Sequence, residues 1–183
     1  LKELPSSIGK LKRLKKLELS NMSYLNNLPN EIGELESLEE IVFSNVDLKE
    51  LPSSIAKLKR LKKLSISSMN YLNALPKEIG DLENLEAIKF TQLNIANLPK
   101  EIGKLKNLEK MELYDCILLD SLPNEIGNLF FLKNLIIHNS GLKEIPNELS
   151  NIKLLESLDL SKSFIKEIPK SFENMTNIRN IIL

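Results

Sequence analysis

A chain of 183 residues with 25 Lys plus Arg against 25 Asp plus Glu carries no formal net charge, so no overall field draws it to nucleic acid or to an anionic membrane. Cys116 is the only cysteine, which excludes an internal disulfide framework and points toward a reducing compartment without excluding a secreted or bacterial-surface parent. A single His and a single Cys make a poor transition-metal set, and no run approaches the ~18 apolar residues of a membrane helix, so neither cofactor binding nor membrane insertion is expected.

All eight prolines belong to one phrase: Leu4-Pro5, Leu28-Pro29, Leu51-Pro52, Leu75-Pro76, Leu98-Pro99, Leu122-Pro123, Ile145-Pro146 and Ile168-Pro169. Their intervals are 24, 23, 24, 23, 24, 23 and 23 residues, the mark of one structural unit written eight times and stacked as a solenoid. In the first copy Ile8, Leu11 and Leu14 recur every three residues, which predicts a short helical or 3₁₀ segment after Pro5. Leu17 and Leu19 then alternate as in a strand, and the same pair of elements is expected after each later proline. Proline suits the start of the helical piece, where a first-turn N–H has no partner in any case. Gly9, Gly33, Gly80, Gly103 and Gly127 each fall four residues after the proline, with Ala56, Ser150 and Glu173 in the other copies, which predicts close packing of successive coils there. Isolated glycines of this kind make no phosphate loop.

The L-P-x-x-I-x-x-L-x-x-L-x-x-L-x-L phrase resembles the leucine-rich repeat family over essentially the whole chain. The variant is similar to bacterial leucine-rich repeat proteins, to the plant Ras-group-related class and to repeats of plant intracellular immune receptors. The resemblance implies an α/β solenoid of about eight repeats of 23–24 residues, with a curved parallel sheet on the concave side and short helical or 3₁₀ segments outside. It also implies binding to other proteins. One departure stands out. Three positions after the second strand leucine the family has an inward Asn or Cys that bonds the turn backbone, whereas these positions hold Met22, Val46, Met69, Leu93, Cys116, Ser140 and Ser163. The turn backbone must therefore find other partners, and Cys116 reads as a buried core thiol.

Residues 1–183 are expected to form a single leucine-rich repeat domain, and because Leu1 stands in mid-repeat and Ile181-Ile182-Leu183 open a new strand, they read as a segment of a longer protein. Uncapped ends are able to associate end to end.

The alternation of 24 and 23 is a superrepeat: residues 1–47 match 48–94 at 32 positions. Of the ten positions expected to face outward from the strands, six differ between the copies, against nine of the other 37, so divergence is concentrated on the sheet. Parallel strands lie about 4.8 Å apart, which turns every outward position into a column. One column alternates in sign: Lys15, Glu39, Lys62, Glu86, Glu109, Lys133, Glu156, Arg179. It predicts a ladder of weak solvated ion pairs, and the outer segments repeat the theme, with Lys10, Lys12 and Arg13 beside Glu34 and Glu36. Two further columns lose their polar character in the second half. One passes from Ser20, Ser44, Ser67 and Thr91 to Tyr114, His138 and Ser161, and the other runs Glu18, Val42, Ser65, Lys89, Glu112, Ile136, Asp159, Ile182. Where the chain enters the strands, Phe130 and Phe131 replace the polar pairs of other coils, and Leu154 follows Phe131 one coil later.

Exposed aromatic and apolar side chains among polar ones are the raw material of interface hot spots. A non-catalytic protein-binding module is expected, with Glu112, Tyr114, Asp115, Ile136 and His138 on the sheet and Phe130, Phe131 and Leu154 on the rim. Asp115 lies diagonally across one coil from His138, but no activated nucleophile accompanies the pair, so enzyme activity is not expected. The alternative is a structural or autoinhibitory segment that contacts its own flanking domains through the Phe130-Phe131-Leu154 patch. A sheet strip of ~450 Å² falls short of the ~800 Å² that each partner buries in a standard interface, so a strong partner must also reach the rim.

Overall fold

The computed structural model describes residues 1–183. Eight 3₁₀ segments of five residues alternate with eight strands. The 3₁₀ segments are Ser6–Lys10, Asn30–Glu34, Ser53–Lys57, Lys77–Asp81, Lys100–Lys104, Asn124–Asn128, Asn147–Asn151 and Lys170–Asn174. The strands are β1 (Lys16–Met22), β2 (Glu40–Val46), β3 (Lys63–Ser67), β4 (Ala87–Thr91), β5 (Lys110–Tyr114), β6 (Asn134–His138), β7 (Ser157–Asp159) and β8 (Asn180–Ile182). They form one open parallel sheet in chain order, and coil n is named for the strand βn that it contains.

Three-residue spacing explains the choice of 3₁₀ over α. At three residues per turn, Ile32 and Leu35 stack on a single inward face and are buried, as Ile79 and Leu82 are two coils later. Each proline sits one residue before its segment, in extended backbone such as φ −68°, ψ 149° at Pro5. There its carbonyl accepts the first bond, from Ile8 N–H at 3.0 Å in coil 1 and from Ile55 N–H at 3.0 Å in coil 3. The proline is thus the cap rather than the first turn residue, and its fixed φ sets the entry direction.

The glycine column meets its expectation. A Cβ on Gly80 would lie 2.3 Å from the Glu101 carbonyl oxygen, and one on Gly127 would lie 2.2 Å from that of Glu148. Both separations are far inside van der Waals contact, so the outer segments pack backbone to backbone at these points. On the inner side, one hydrophobic cluster runs the length of the solenoid. Cys116, Met69, Val46 and Leu93 are wholly buried in the slots that lack asparagine, which leaves the turns to be satisfied in another way.

The residue just before each slot supplies the answer. Asn21, Asn45, Ser68, Gln92, Asp115, Asn139 and Lys162 all adopt the left-handed conformation, with φ between 52° and 56°. This twist aims the N–H along the solenoid, so that Ser68 donates to Thr91 O (2.9 Å), Gln92 to Tyr114 O (2.8 Å), Asp115 to His138 O (2.9 Å) and Asn139 to Ser161 O (3.0 Å). Backbone bonds between coils thus replace the inward side-chain ladder. The side chains of the same column add a second ladder at the surface: Asn45 Nδ2 donates to Asn21 Oδ1 (2.9 Å), Ser68 Oγ to Gln92 Oε1 (3.0 Å) and Asn139 Nδ2 to Asp115 Oδ1 (2.7 Å).

Candidate functional site

Alternation along the strands presents three residues per coil on the concave face, and in coils 1 and 2 the charges there pair with one another. Lys16 Nζ lies 3.2 Å from Glu18 and 3.3 Å from Glu40, and hydrogen bonds to these carboxylates hold its pKa above the ordinary lysine value. At the strand-entry edge Lys15 pairs with Glu39 (3.9 Å), Lys133 with Glu109 (2.9 Å) and Arg179 with Glu156 (3.3 Å). On the outer stripes Lys12 reaches Glu34 and Glu36, and Lys59 reaches Glu83. Such exposed pairs add little stability and knit neighbouring coils rather than create a pocket.

From β5 onward the face changes. Strand register sets Glu112 beside Ile136 and Ile136 beside Asp159, and sets Tyr114 beside His138, so these side chains form a grid over three coils. The Tyr114 hydroxyl donates to Glu112 Oε1 at 3.2 Å, and the same oxygen receives Lys110 Nζ at 3.1 Å. Lys89 Nζ stands 5.7 Å from the Tyr114 ring centroid, and the Tyr114 and His138 rings lie 6.2 Å apart, tilted by 51°. Burial first, then the charge of Glu112 and the hydrogen bond to it, then Asp159, push the Tyr114 pKa above that of a free phenol.

His138 Nδ1 lies 2.9 Å from Ser161 Oγ, while Ser161 gives both its hydroxyl proton and its backbone N–H to Asp159 Oδ1. A hydroxyl has one proton, and a carboxylate oxygen only accepts. Nδ1 must therefore carry a hydrogen and donate it, the reverse of the polarity by which an imidazole activates a serine. Both rings are fixed by side-chain bonds and half-exposed.

Asp115 is not a member of this grid. Its left-handed φ of 55° turns it off the end of β5, and its carboxylate accepts from Asn139 and makes no bond to the His138 ring. It instead lines an open groove on the strand-exit rim with Asn70, Gln92, Asn94, Ile117 and Asn139. Phe130 and Phe131 are 56% and 53% exposed on the strand-entry rim, with Leu154 exposed one coil on. They also interrupt a set of hooks: Asn84, Asn107 and Asn177 in the Phe131 column each donate Nδ2 to a carbonyl of the preceding coil at 2.6–2.8 Å. Phe131 and Leu154 replace this stitch with apolar surface. Cys116 is fully buried, and burial raises its pKa, away from thiolate chemistry.

A further surface column is absent from the sequence expectations. Tyr24 (70% exposed), Tyr71 (55%) and Leu118 (51%) stand 47 residues apart on the strand-exit loops, where the 24-residue coils carry their extra residue. The superrepeat period is the signal that would have found them.

An open parallel sheet of eight stacked coils around one continuous hydrophobic core defines a solenoid scaffold. The chain belongs to the leucine-rich repeat family: the model of a leucine-rich repeat region matches residues 2–114. Among solved structures it is similar to a leucine-rich repeat protein of Leptospira interrogans, at 34% identity and a TM-score of 0.76 over 100% of this chain and 52% of that one. It thus spans about half the length of that relative. The leucine-rich repeat domain of the type III effector XopL matches at 24% identity and a TM-score of 0.78, over 100% of this chain and 73% of that one, and shows the fold. A plant peptide hormone receptor, RGFR1, solved in complex with RGF2, matches at 28% identity and a TM-score of 0.69, over 98% of this chain and 34% of that one. No curated protein sequence matches. The family fold is a general module for protein interaction, and no helix is long and apolar enough to cross a membrane.

Proposed function

We propose that coils 5–7 bind a protein partner through the concave sheet at Glu112, Tyr114, Ile136 and His138 and through the adjoining rim at Phe130, Phe131 and Leu154, without catalysing a reaction. The observation that carries this reading is the prearranged grid. Tyr114 is of the residue type that dominates interfaces and His138 stands beside it, and each is already fixed by a bond to Glu112 or Ser161, so little side-chain entropy is lost when a partner arrives. The rim supports it, because Phe131 and Leu154 stand where hook asparagines stand elsewhere. Asp115, on the opposite rim, joins this interface only if the partner wraps over the strand ends.

The test is affinity capture from the organism that makes the protein, with wild type beside Tyr114→Ala/His138→Ala and, separately, Phe131→Ser/Leu154→Asn. Partners retained by wild type and lost by the concave variant are expected. Equal recovery of every partner by all three proteins would remove the proposal.

A further inference from the structure

Three coils place a carboxylate in the same concave column, and their surroundings differ. Glu18 in coil 1 has Lys16 two residues earlier on the same face, at 3.2 Å. Glu112 in coil 5 has Lys110 in the equivalent place, at 3.1 Å. Asp159 in coil 7 has Ser157 there, and the positions on either side of Ser157 are Asn134 and Asn180. The lysine column thus ends at Lys110, and Asp159 pairs with no cation while its counterparts do. Ser161 satisfies only one of its oxygens.

The flanks of Asp159 are apolar. Register sets Ile136 on one side and Ile182 on the other, and His138 reaches Ser161 behind it. Because His138 donates through Nδ1, neutral imidazole keeps its Nε2 lone pair as a further acceptor. The local inventory is a carboxylate lacking a counter-ion, a ring acceptor and two branched aliphatic side chains. An anion would meet only repulsion at Asp159, and a purely apolar group would bury the carboxylate unpaired. The side chain that matches both parts has an aliphatic stem and a cationic head.

We infer that Asp159, between Ile136 and Ile182, receives a lysine or arginine side chain of the protein partner. The inference rests on the concave-face reading and specifies the chemistry of what docks there. The stem lies along the isoleucines and the head bonds the free carboxylate oxygen, supplying from outside the cation that Lys16 and Lys110 supply from within.

A random displayed peptide library selected on the wild-type protein tests it. Selected peptides are expected to share a Lys or Arg and to bind Asp159→Asn roughly tenfold or more weakly, as loss of a close charge pair requires. Ser157→Lys should weaken them equally, since the new lysine occupies Asp159 as Lys110 occupies Glu112. This variant keeps every group of the site and changes only whether the carboxylate is free, and matched thermal melts establish that both variants fold. If the selected peptides need Tyr114 and His138 but contain no shared basic residue, or bind Ser157→Lys undiminished, the inference falls while the concave-face reading stands. Peptides indifferent to Tyr114→Ala/His138→Ala, or failure to select any, would remove that reading and the inference with it.

Discussion

Coils 1–4 and coils 5–8 share a core and differ in what their faces leave unsatisfied. In coil 1 the concave lysine is bound to Glu18 and, across one coil, to Glu40, and Ser20, Ser44, Ser67 and Thr91 run beside them as small polar groups. In coils 5–7 the same columns hold Tyr114, Ile136, His138 and Asp159, and the lysines stop at Lys110. The inward columns show no such change: Leu64 and Ile66 in coil 3 are as fully buried as Leu135 and Ile137 in coil 6. Packing dictates one side of each strand, and the other side is free to vary because outward residues meet only their lateral neighbours.

If the two halves do share one scaffold, equivalent core truncations must cost the same. Leu64→Ala and Leu135→Ala, both at fully buried positions, are each expected to destabilise by about 2–5 kcal/mol in denaturant titrations. A gap between them as large as the effect itself would show that the halves differ in the core as well as on the face. The outer side offers a second comparison: Gly80→Ala and Gly127→Ala both drive a methyl group into a carbonyl of the next coil, and each should cost about 1–3 kcal/mol in thermal melts.

The left-handed column gives a smaller and signed comparison. Asn45 suits a positive φ and Lys162 does not, although their φ values are 53° and 56°. Lys162→Asn should stabilise by about 0.5–1 kcal/mol, and Asn45→Lys should cost a similar amount and lose the bond to Asn21 as well. Stabilities that move in the same direction would contradict the assignment of conformation.

The smallest effect is spectroscopic and belongs to the second half alone. Tyr114 is half-buried beside Glu112, so in an absorbance titration its phenol should ionise above the ordinary tyrosine pKa of 10.0. Because the fold favours the protonated phenol, its contribution to stability is complete below the ordinary tyrosine pKa of 10.0 and is lost as pH rises through the raised folded value. Glu112→Gln should bring this phenol partway back toward the ordinary value, since burial persists when the charge is gone. A Tyr114 phenol whose titration is unchanged by Glu112→Gln would deny the Tyr114–Glu112 contact.

The fold was legible because the proline period and the three-residue apolar spacing are direct consequences of the coil. Eight coils, the glycine contacts and the buried Cys116 all follow from that one repeat. The rest depended on conformation that a residue name does not carry. Asp115 counts as an outward strand residue until its φ is known, and the seven positions of that left-handed column hold five residue types. The Tyr114–Glu112 and His138–Ser161–Asp159 contacts needed side-chain directions, although the columns already brought their members together. Ser157 was equally visible as a letter, but its meaning appears only once Lys16–Glu18 and Lys110–Glu112 are seen as bonds.

The left-handed column also constrains how such a face can be rewritten. None of Asn21, Asn45, Ser68, Gln92, Asp115, Asn139 and Lys162 is branched at Cβ, and at φ near 55° a valine, isoleucine or threonine would collide with its own backbone. A library that randomises the whole outward surface would lose many members at this one position per coil, through misfolded turns rather than poor contacts. Holding the column at asparagine or glycine while the three strand positions vary would keep the strand ends in place, and would turn the duplicated coil pair into a vocabulary in which nearly every word can be spoken.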